Sequence, residues 1–196
     1  ELGVPFHVVS IAEEAEVALK KAAEMTGSPK KISALAKQNL QARVRGNMML
    51  NWANNENALL LVTSNLSEAA VGYATMDGDT SGGLAPIAGI DKAYLREWLR
   101  WLEGTGPRLR DGTRVPIPGV QAVNAQAPTA ELRPPSATQT DEDDLMPYPL
   151  LDAIERLAIR DKLAPMEVWQ LVRRDFPVYA AAALAAQHGA KVVTAE

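Results

Sequence analysis

The sequence feature that most constrains the fold is a short apolar run at residues 59–63 that ends abruptly in polar residues. A run of about five apolar residues suits a buried strand better than a helix, because helices are usually at least twice as long. Ser64, Asn65 and Ser67 then offer a turn and a helix cap, and Glu68 can begin a short helix. The order strand, turn, helix predicts one unit of an α/β fold.

The rest of the chain adds one further strand and several helices. The β-forming residues at 4–11 predict a short strand, and the strong helix formers at 12–25 predict a helix after it. Apolar residues near helical spacing predict two more helices, at 31–54 and 92–103. Three helices that each begin with a proline are predicted towards the C-terminal end, at 149–161, 165–175 and 177–188. We therefore expect residues 1–196 to form part of one α/β domain, a parallel-sheet fragment followed by a helical tail.

The stretch 104–147 differs from the rest of the chain in composition. It is rich in proline, glycine, threonine and glutamine, and it ends near an acidic run from Asp141 to Asp144. This composition predicts a long irregular loop within the domain. Structureless loops of this length are uncommon in compact domains unless they act as lids or binding loops, so this loop could close over a ligand, or it could be a solvated excursion.

Composition excludes several classes of function. Cysteine is absent, so disulfides, cysteine zinc sites and thiol nucleophiles are excluded. Lysine plus arginine number 20 against 24 acidic residues, and the net charge of −4 argues against nonspecific nucleic-acid binding. No apolar run reaches the roughly 18 residues that a membrane span needs, and the first residues do not resemble a signal peptide. A cytoplasmic location is the default expectation.

Three candidate binding features each have a plain structural alternative. Asn39 and Arg43 lie four residues apart on one helix face, where they could hold a polar ligand or form a solvated edge. Glu68 follows a predicted strand and could hold Mg²⁺, or it could simply complement a helix dipole at an ordinary cap. Lys92 begins a predicted helix, where it could reach a phosphate or remain solvated.

A glycine-rich segment at 78–83 has the look of a phosphate loop. It lacks the Gly-Lys-Ser/Thr of a Walker loop and the spacing of a dinucleotide fingerprint, and Ala85-Pro86 follows it where a helix should begin. Turn-forming glycines explain most of this segment. With two histidines far apart in sequence, His7 and His188, neither a histidine metal site nor an acyl-transfer triad is supported.

In their order and spacing, several segments over about residues 35–155 together resemble the synthetase domain of NAD⁺ synthetases, particularly of the glutamine-dependent type. The segments that carry the resemblance are 38–47 (QNLQARVRGN), 63–68 (TSNLSE), 71–75 (VGYAT), Gly78-Asp79, Gly82-Gly83, Ala85-Pro86, Lys92, 127–132 (APTAEL) and 139–148 (QTDEDDLMPY). No single segment is specific, whereas the combination is.

The resemblance implies a Rossmann-like fold of the ATP-pyrophosphatase (adenine nucleotide alpha hydrolase-like) type and a ligase reaction in two steps. ATP would adenylate the nicotinate carboxylate of deamido-NAD⁺ and release pyrophosphate, and ammonia would then displace AMP to give NAD⁺. It implies ATP contacts by Thr63, Lys92 and Thr129, and a magnesium ligand at Glu68. The positions matched to the deamido-NAD⁺ site are Asn39, Arg43, Glu68, Tyr73 and Thr75. It implies no residue that forms a covalent bond with substrate.

The sequence also departs from the family pattern. The family's first phosphate loop, Ser-Gly-Gly-x-Asp-Ser, is missing, as are its late basic motif and the nitrilase-like glutaminase domain. Met76 and Gly83 stand where the ammonia-only enzymes carry Lys and Asp, which favours the glutamine-dependent branch. We therefore expect the parent protein to make NAD⁺ with ammonia from a glutaminase domain, and this chain alone to be inactive.

Two alternatives remain open from the sequence. One is another ATP-pyrophosphatase amidoligase, such as a GMP synthetase or an asparagine synthetase-like domain, with the same adenylation chemistry on a different substrate. The other is a non-catalytic fragment that acts as a dimerisation module through the helix at 31–54, where Met48, Met49 and Trp52 could pack on a second subunit. The family resemblance itself implies that such helices meet across a two-fold axis, so a homo-oligomer is expected.

Overall fold

The computed structural model describes residues 3–129, 132 and 140–181, which fall into two compact units, Glu1–Asp144 and Leu145–Glu196. The α-helices of the first unit are α1 (Ala12–Thr26), α2 (Ala34–Asn55), α3 (Leu66–Val71), α4 (Lys92–Gly104), α5 (Gln121–Asn124) and α6 (Asp141–Asp144). Those of the second unit are α7 (Tyr148–Glu155) and α8 (Pro165–Asp175). Short 3-10 helices lie at Pro29–Lys31 and Pro118–Val120, and a π-helix at Arg156–Arg160.

Local signals in the sequence set the ends of the long helices of the first unit. α1 ends at Gly27, whose φ of 73° is the left-handed conformation that glycine adopts without a steric penalty. α2 begins after Ser33, whose side chain accepts a hydrogen bond from the Ala36 N–H at 3.1 Å. The helices predicted at 12–25, 31–54 and 92–103 are confirmed, with bounds that shift by one to three residues at an end.

The predicted strand at 59–63 forms only one parallel bridge, between Leu61 and Leu84. The Val62 N–H donates to the Leu84 carbonyl at 2.9 Å, and the Gly83 N–H donates to the Leu60 carbonyl at 3.0 Å. Across the described part of the chain there is no extended sheet. Of the predicted parallel sheet, the described residues form only this one parallel bridge.

The strand predicted at 4–11 is wrong. Residues 3–11 precede α1 without strand pairing, and the side chains of Val4, Phe6 and Val8 are 71, 84 and 82 % exposed. A segment rich in β-formers becomes a strand only where another strand supplies hydrogen bonds and a face to pack on, and none of the described segments does so here.

The stretch 104–147 carries several short ordered pieces among its described residues, which include α5, α6, the 3-10 helix at Pro118–Val120 and an antiparallel bridge between Arg108 and Arg114. The Thr113 N–H, which donates to the Asp111 carboxylate at 2.9 Å, lowers the pKa of Asp111 in the turn of this bridge. The Ile117 N–H donates to the Leu102 carbonyl at 2.8 Å and ties the stretch to α4.

The second unit has its own small apolar core. Leu150 of α7 and Val168 and Val172 of α8 are buried together, with partly buried Met146, Ile154, Leu157, Leu163 and Phe176 packed around them. The helices predicted at 149–161 and 165–175 are confirmed, the first with its last turn as the π-helix. Of the helix predicted at 177–188, residues 177–181 are helical and the remainder lies outside the described residues.

None of the helices within 3–129 and 140–181 is both long and apolar enough to cross a membrane.

Candidate functional site

A cavity of about 630 Å³ opens in the first unit, at the polar end of the 59–62 segment. Thr63, Ser64 and Glu68 line it where that segment turns into α3, Lys92 lines it at the first residue of α4, and Thr129 lines it from the 104–147 stretch. The structure therefore places the three predicted ATP contacts and the predicted magnesium ligand around one cavity. A volume of this size is ordinary for a small-molecule site.

The turn that carries Glu68 is fixed by a capping box at the start of α3. The side-chain oxygen of Asn65 accepts a hydrogen bond from the Glu68 N–H at 3.0 Å, and the Glu68 carboxylate faces back to the Asn65 N–H at 3.5 Å. The capping role that the sequence allowed for Glu68 is therefore present. It does not exclude a ligand role, because the same carboxylate also lines the cavity.

Glu68 and Lys92 form an ion pair inside the cavity. The Lys92 ammonium donates to Glu68 Oε1 at 2.8 Å, and the two side chains are 23 and 18 % exposed. Partial burial strengthens this attraction relative to an exposed surface pair. The pair brings a cation and a carboxylate together at one point on the cavity wall.

Two hydrogen bonds join α3 to the start of α4 next to this pair. The Leu66 N–H donates to the Ile90 carbonyl at 3.1 Å, and the Lys92 N–H donates to the Ser67 hydroxyl oxygen at 2.8 Å. Ser67 is fully buried, and its hydroxyl accepts a hydrogen bond from the first N–H of α4, 25 residues further along the chain. Sequence reasoning assigned Ser67 to the cap of its own helix, because local patterns carry no signal for a contact at this separation.

The predicted deamido-NAD⁺ residues divide between two places. The Thr75 hydroxyl donates to Asn39 Oδ1 at 2.9 Å, and Arg43 Nε donates to the Met76 carbonyl at 3.1 Å. Thr75 and Met76 therefore lie against the face of α2 that carries Asn39 and Arg43. Asn39, Arg43 and Thr75 do not belong to the cavity lining. Tyr73 does line the cavity, and its hydroxyl donates to the Asp144 carboxylate at 3.0 Å.

Asp79 connects these two places, and sequence reasoning missed this role. One of its carboxylate oxygens accepts the Thr75 N–H at 2.8 Å, and the other pairs with Arg45 at 2.8 Å. Its backbone carbonyl accepts the Ser64 hydroxyl at 3.2 Å. Asp79, Arg45 and Ser64 line the cavity, whereas Thr75 holds Asn39. The Gly78-Asp79 dipeptide marked the turn in the sequence, but its partners on α2 could not be predicted from spacing.

A close approach of backbones holds this turn against α2. A Cβ on Gly46 would lie 2.6 Å from Ser81 Oγ and 2.8 Å from the Gly78 carbonyl oxygen. A Cβ on Gly78 would in turn lie 3.0 Å from the carbonyl carbon and Cβ of Ala42, which is fully buried. A side chain at position 46 would force the turn to shift, and one at position 78 would require Ala42 to move by a few tenths of an ångström, because the helix and the turn approach each other so closely.

Two further cations on the cavity wall were also missed by sequence reasoning. Arg96 and Arg100 of α4 line the cavity beyond Lys92, at successive intervals of four residues. Arg96 Nη1 lies 3.6 Å from Glu142 Oε1, and Arg100 pairs with Glu97 of its own helix. The signal was available in the sequence, because residues four apart on a helix share a face.

Among the described residues, no group of three or more histidine, aspartate or glutamate side chains is arranged to hold a metal ion. Glu68 is the predicted metal ligand, and it offers a single carboxylate to the cavity. Such a site suits an ion that completes its coordination with water and ligand oxygens, as Mg²⁺ commonly does.

Comparisons with known proteins agree with the resemblance drawn from the motifs. The sequence profile described as NAD synthase matches residues 1–181. The glutamine-dependent NAD(+) synthetase of Aquifex aeolicus is 37 % identical over 180 residues, which are 90 % of this chain and 28 % of that protein. A crystal structure of a glutamine-dependent NAD(+) synthetase from Cytophaga hutchinsonii matches with 37 % identity and a TM-score of 0.67, over 87 % of this chain and 25 % of that one. The structure of an NMN synthetase from Francisella tularensis shares the fold, with a TM-score of 0.62 at 20 % identity. That match covers 100 % of this chain and 68 % of the NMN synthetase. The chain thus spans about a quarter of the length of the glutamine-dependent relatives.

Proposed function

The chain belongs to the NAD synthase family, and on this premise we propose that the protein containing it converts deamido-NAD⁺ to NAD⁺. ATP would adenylate the nicotinate carboxylate and release pyrophosphate, and ammonia would then displace AMP to give the carboxamide of NAD⁺. This is the reaction that the motif resemblance implies. The observation that carries the proposal is the ion pair between Glu68 and Lys92 in a cavity that Thr63 and Thr129 also line.

We place the phosphates of ATP beside Lys92 in this proposal. The Lys92 ammonium is partly buried and faces the cavity, where it can neutralise the charge that develops as pyrophosphate leaves. Thr63 and Thr129 line the same cavity, and their hydroxyls can donate to phosphate oxygens. These are positioning and electrostatic roles, and the proposal requires no covalent bond between this chain and the substrate.

Mg²⁺ fits the donor set at Glu68. One cavity-facing carboxylate is what Mg²⁺ needs when the remaining ligands are water and substrate phosphate oxygens. When bound, the ion would supply charge neutralisation at the phosphates. Glu68 would hold the ion, and Lys92 would then be released to contact the phosphates directly.

Deamido-NAD⁺ contacts are proposed at the face of α2 that carries Asn39 and Arg43, together with Thr75. Tyr73 and Glu68 would contribute from the cavity side. Asp79 supports this arrangement, because its carboxylate accepts a hydrogen bond from the Thr75 N–H and its backbone carbonyl accepts one from the Ser64 hydroxyl. The two substrates would therefore approach each other across one hydrogen-bonded turn.

The remaining features follow the glutamine-dependent branch. We propose that ammonia reaches the site from a glutaminase domain of the parent protein, in keeping with Gly83 and Met76. A homo-oligomer would bring two α2 helices together, and on this helix Met48, Met49 and Trp52 are 39, 41 and 47 % exposed.

The proposal is tested by incubating the full-length protein with ATP, Mg²⁺, deamido-NAD⁺ and either glutamine or ammonium, and separating the products by chromatography. The expected products are NAD⁺, AMP and pyrophosphate in equal amounts. Formation of ADP and phosphate in place of AMP would contradict the proposal. Amidation of another carboxylate with deamido-NAD⁺ left unused would also contradict it, and would point to a different amidoligase.

A further inference from the structure

We propose that Arg96 is a further phosphate-binding residue of this cavity, which acts beside Lys92 to hold the polyphosphate of the nucleotide and the pyrophosphate that is released. The inference rests on the proposed function, because ATP supplies the polyphosphate. Neither the motifs of the sequence nor the family resemblance points to this residue.

The placement of Arg96 on α4 is the first observation. Lys92 and Arg96 lie four residues apart on this helix, so their side chains extend from the same face, and both line the cavity. A linear polyphosphate carries several negative charges along its length. Two cations on successive turns of one helix can therefore contact successive phosphates of the same chain.

The electrostatic setting of Arg96 is the second observation. Its side chain is 30 % exposed, close to the 23 % of Lys92, so the solvent screens the two charges to a similar and limited degree. A guanidinium in this setting carries five donors in a planar fork, and this geometry matches two phosphate oxygens at once. An arginine here would be more selective for a phosphate than a flexible ammonium.

The length of its ion pair is the third observation. Arg96 Nη1 lies 3.6 Å from Glu142 Oε1, whereas the Lys92–Glu68 pair closes to 2.8 Å. At 3.6 Å the two groups attract each other without a hydrogen bond. Among the described residues, the donors of Arg96 therefore remain available to an anion. Arg100 differs, because its guanidinium is hydrogen-bonded to Glu97 of its own helix.

Inorganic pyrophosphate is a suitable probe, because it carries the proposed ligand chemistry without adenine or dinucleotide. Calorimetric titration of the full-length protein with pyrophosphate is repeated for the variants Arg96→Gln and Arg96→Lys. We expect Arg96→Gln to weaken pyrophosphate binding by about 10- to 100-fold, the usual effect of losing a charge-assisted bidentate contact. Arg96→Lys keeps the positive charge but loses the planar guanidinium. Its affinity for pyrophosphate should therefore lie between that of the wild type and that of Arg96→Gln.

The matched control is Arg173→Gln on α8, which removes the same charge from an exposed position outside the cavity lining and should leave pyrophosphate binding unchanged. Binding by Arg96→Gln within about twofold of the wild type would overturn the inference, as would a wild type that does not bind pyrophosphate. If Arg96→Gln fails to fold, Arg96→Lys decides: several-fold weaker binding supports the inference, and wild-type affinity overturns it.

The outcome is separable from that of the proposed function. If the wild type forms NAD⁺ and Arg96→Gln binds pyrophosphate with wild-type affinity, Arg96 has no role in phosphate binding and the proposed reaction is still supported. A wild type that forms no NAD⁺ from deamido-NAD⁺ would remove the proposed reaction, whereas the effect of Arg96→Gln on pyrophosphate binding would still report on the cavity.

Discussion

The Lys92 backbone N–H donates to the hydroxyl of Ser67 at 2.8 Å, and this bond sets the first residue of α4 against α3. The next residue after Ser67 is Glu68, whose carboxylate accepts a hydrogen bond from the Lys92 ammonium at 2.8 Å. Two adjacent residues of one helix thus hold both the backbone and the side chain of Lys92. Both bonds lie at the wall of the cavity, which Glu68 and Lys92 line.

Ser67→Ala should destabilise the protein. The substitution removes a buried acceptor and leaves the Lys92 N–H without this hydrogen bond, at an expected loss of about 1–3 kcal/mol in the free energy of unfolding. The thermal unfolding midpoint measures the effect. Ser10→Ala is the matched control, because the Ser10 hydroxyl accepts the Ala12 N–H at 3.3 Å in an exposed position, and it should cost less. Equal midpoints for Ser67→Ala and the wild type would contradict the buried contact.

Glu68→Gln should change the dependence on Mg²⁺ more than it changes stability. The amide keeps an oxygen for the capping box but loses the negative charge that attracts the cation. We expect the Mg²⁺ concentration for half-maximal NAD⁺ formation to rise by about tenfold or more. Glu13→Gln, on the exposed first turn of α1, should leave it unchanged. An unaltered Mg²⁺ requirement in Glu68→Gln would remove Glu68 from the metal site.

Gly46→Ala should be destabilising although alanine favours helices. The gain of about 1 kcal/mol in helix propensity is smaller than the cost of a Cβ placed 2.6 Å from Ser81 Oγ and 2.8 Å from the Gly78 carbonyl oxygen. The expected net loss is about 1–2 kcal/mol. At Gly104, where nothing lies within 4 Å of the added Cβ, the same substitution should be neutral or stabilising. A stable Gly46→Ala would show that the turn at Asp79 is free to move away from α2.

Arg43→Ala should weaken the use of deamido-NAD⁺ selectively. Arg43 lies on the α2 face with Asn39 and outside the cavity lining, so its loss should raise the KM for deamido-NAD⁺ by about tenfold while the KM for ATP changes little. Steady-state kinetics with each substrate varied in turn separates the two constants. An equal rise in both would indicate that the arginine supports the fold of α2 rather than the dinucleotide site.

Most of the helical structure could be predicted from the sequence because its signals are local. Gly27 ends α1, Ser33 caps α2 and Pro165 begins α8, and each acts through residues within one turn of itself. The strand predicted at 4–11 failed for the opposite reason. A strand depends on a distant partner, and residue preference alone does not identify one.

The candidate site divides in the same way. Thr63, Glu68, Lys92 and Thr129 were singled out from motif resemblance, and the structure brings all four to one cavity. The contacts that arrange them join residues far apart in sequence, with Lys92 24 positions after Glu68. Spacing along the chain carries no information about such contacts, since they arise only when the helices pack.

The most direct test of the central claim, that this cavity binds the phosphates of ATP at Lys92, is ATP–pyrophosphate exchange by the full-length protein without an ammonia source. Exchange of labelled pyrophosphate into ATP should require deamido-NAD⁺, and Lys92→Met should reduce its rate by about 100-fold, as the loss of a group that stabilises developing charge usually does. Lys20→Met, an exposed lysine of α1, should exchange at the wild-type rate. Exchange that proceeds without deamido-NAD⁺, or that survives intact in Lys92→Met, would contradict the account.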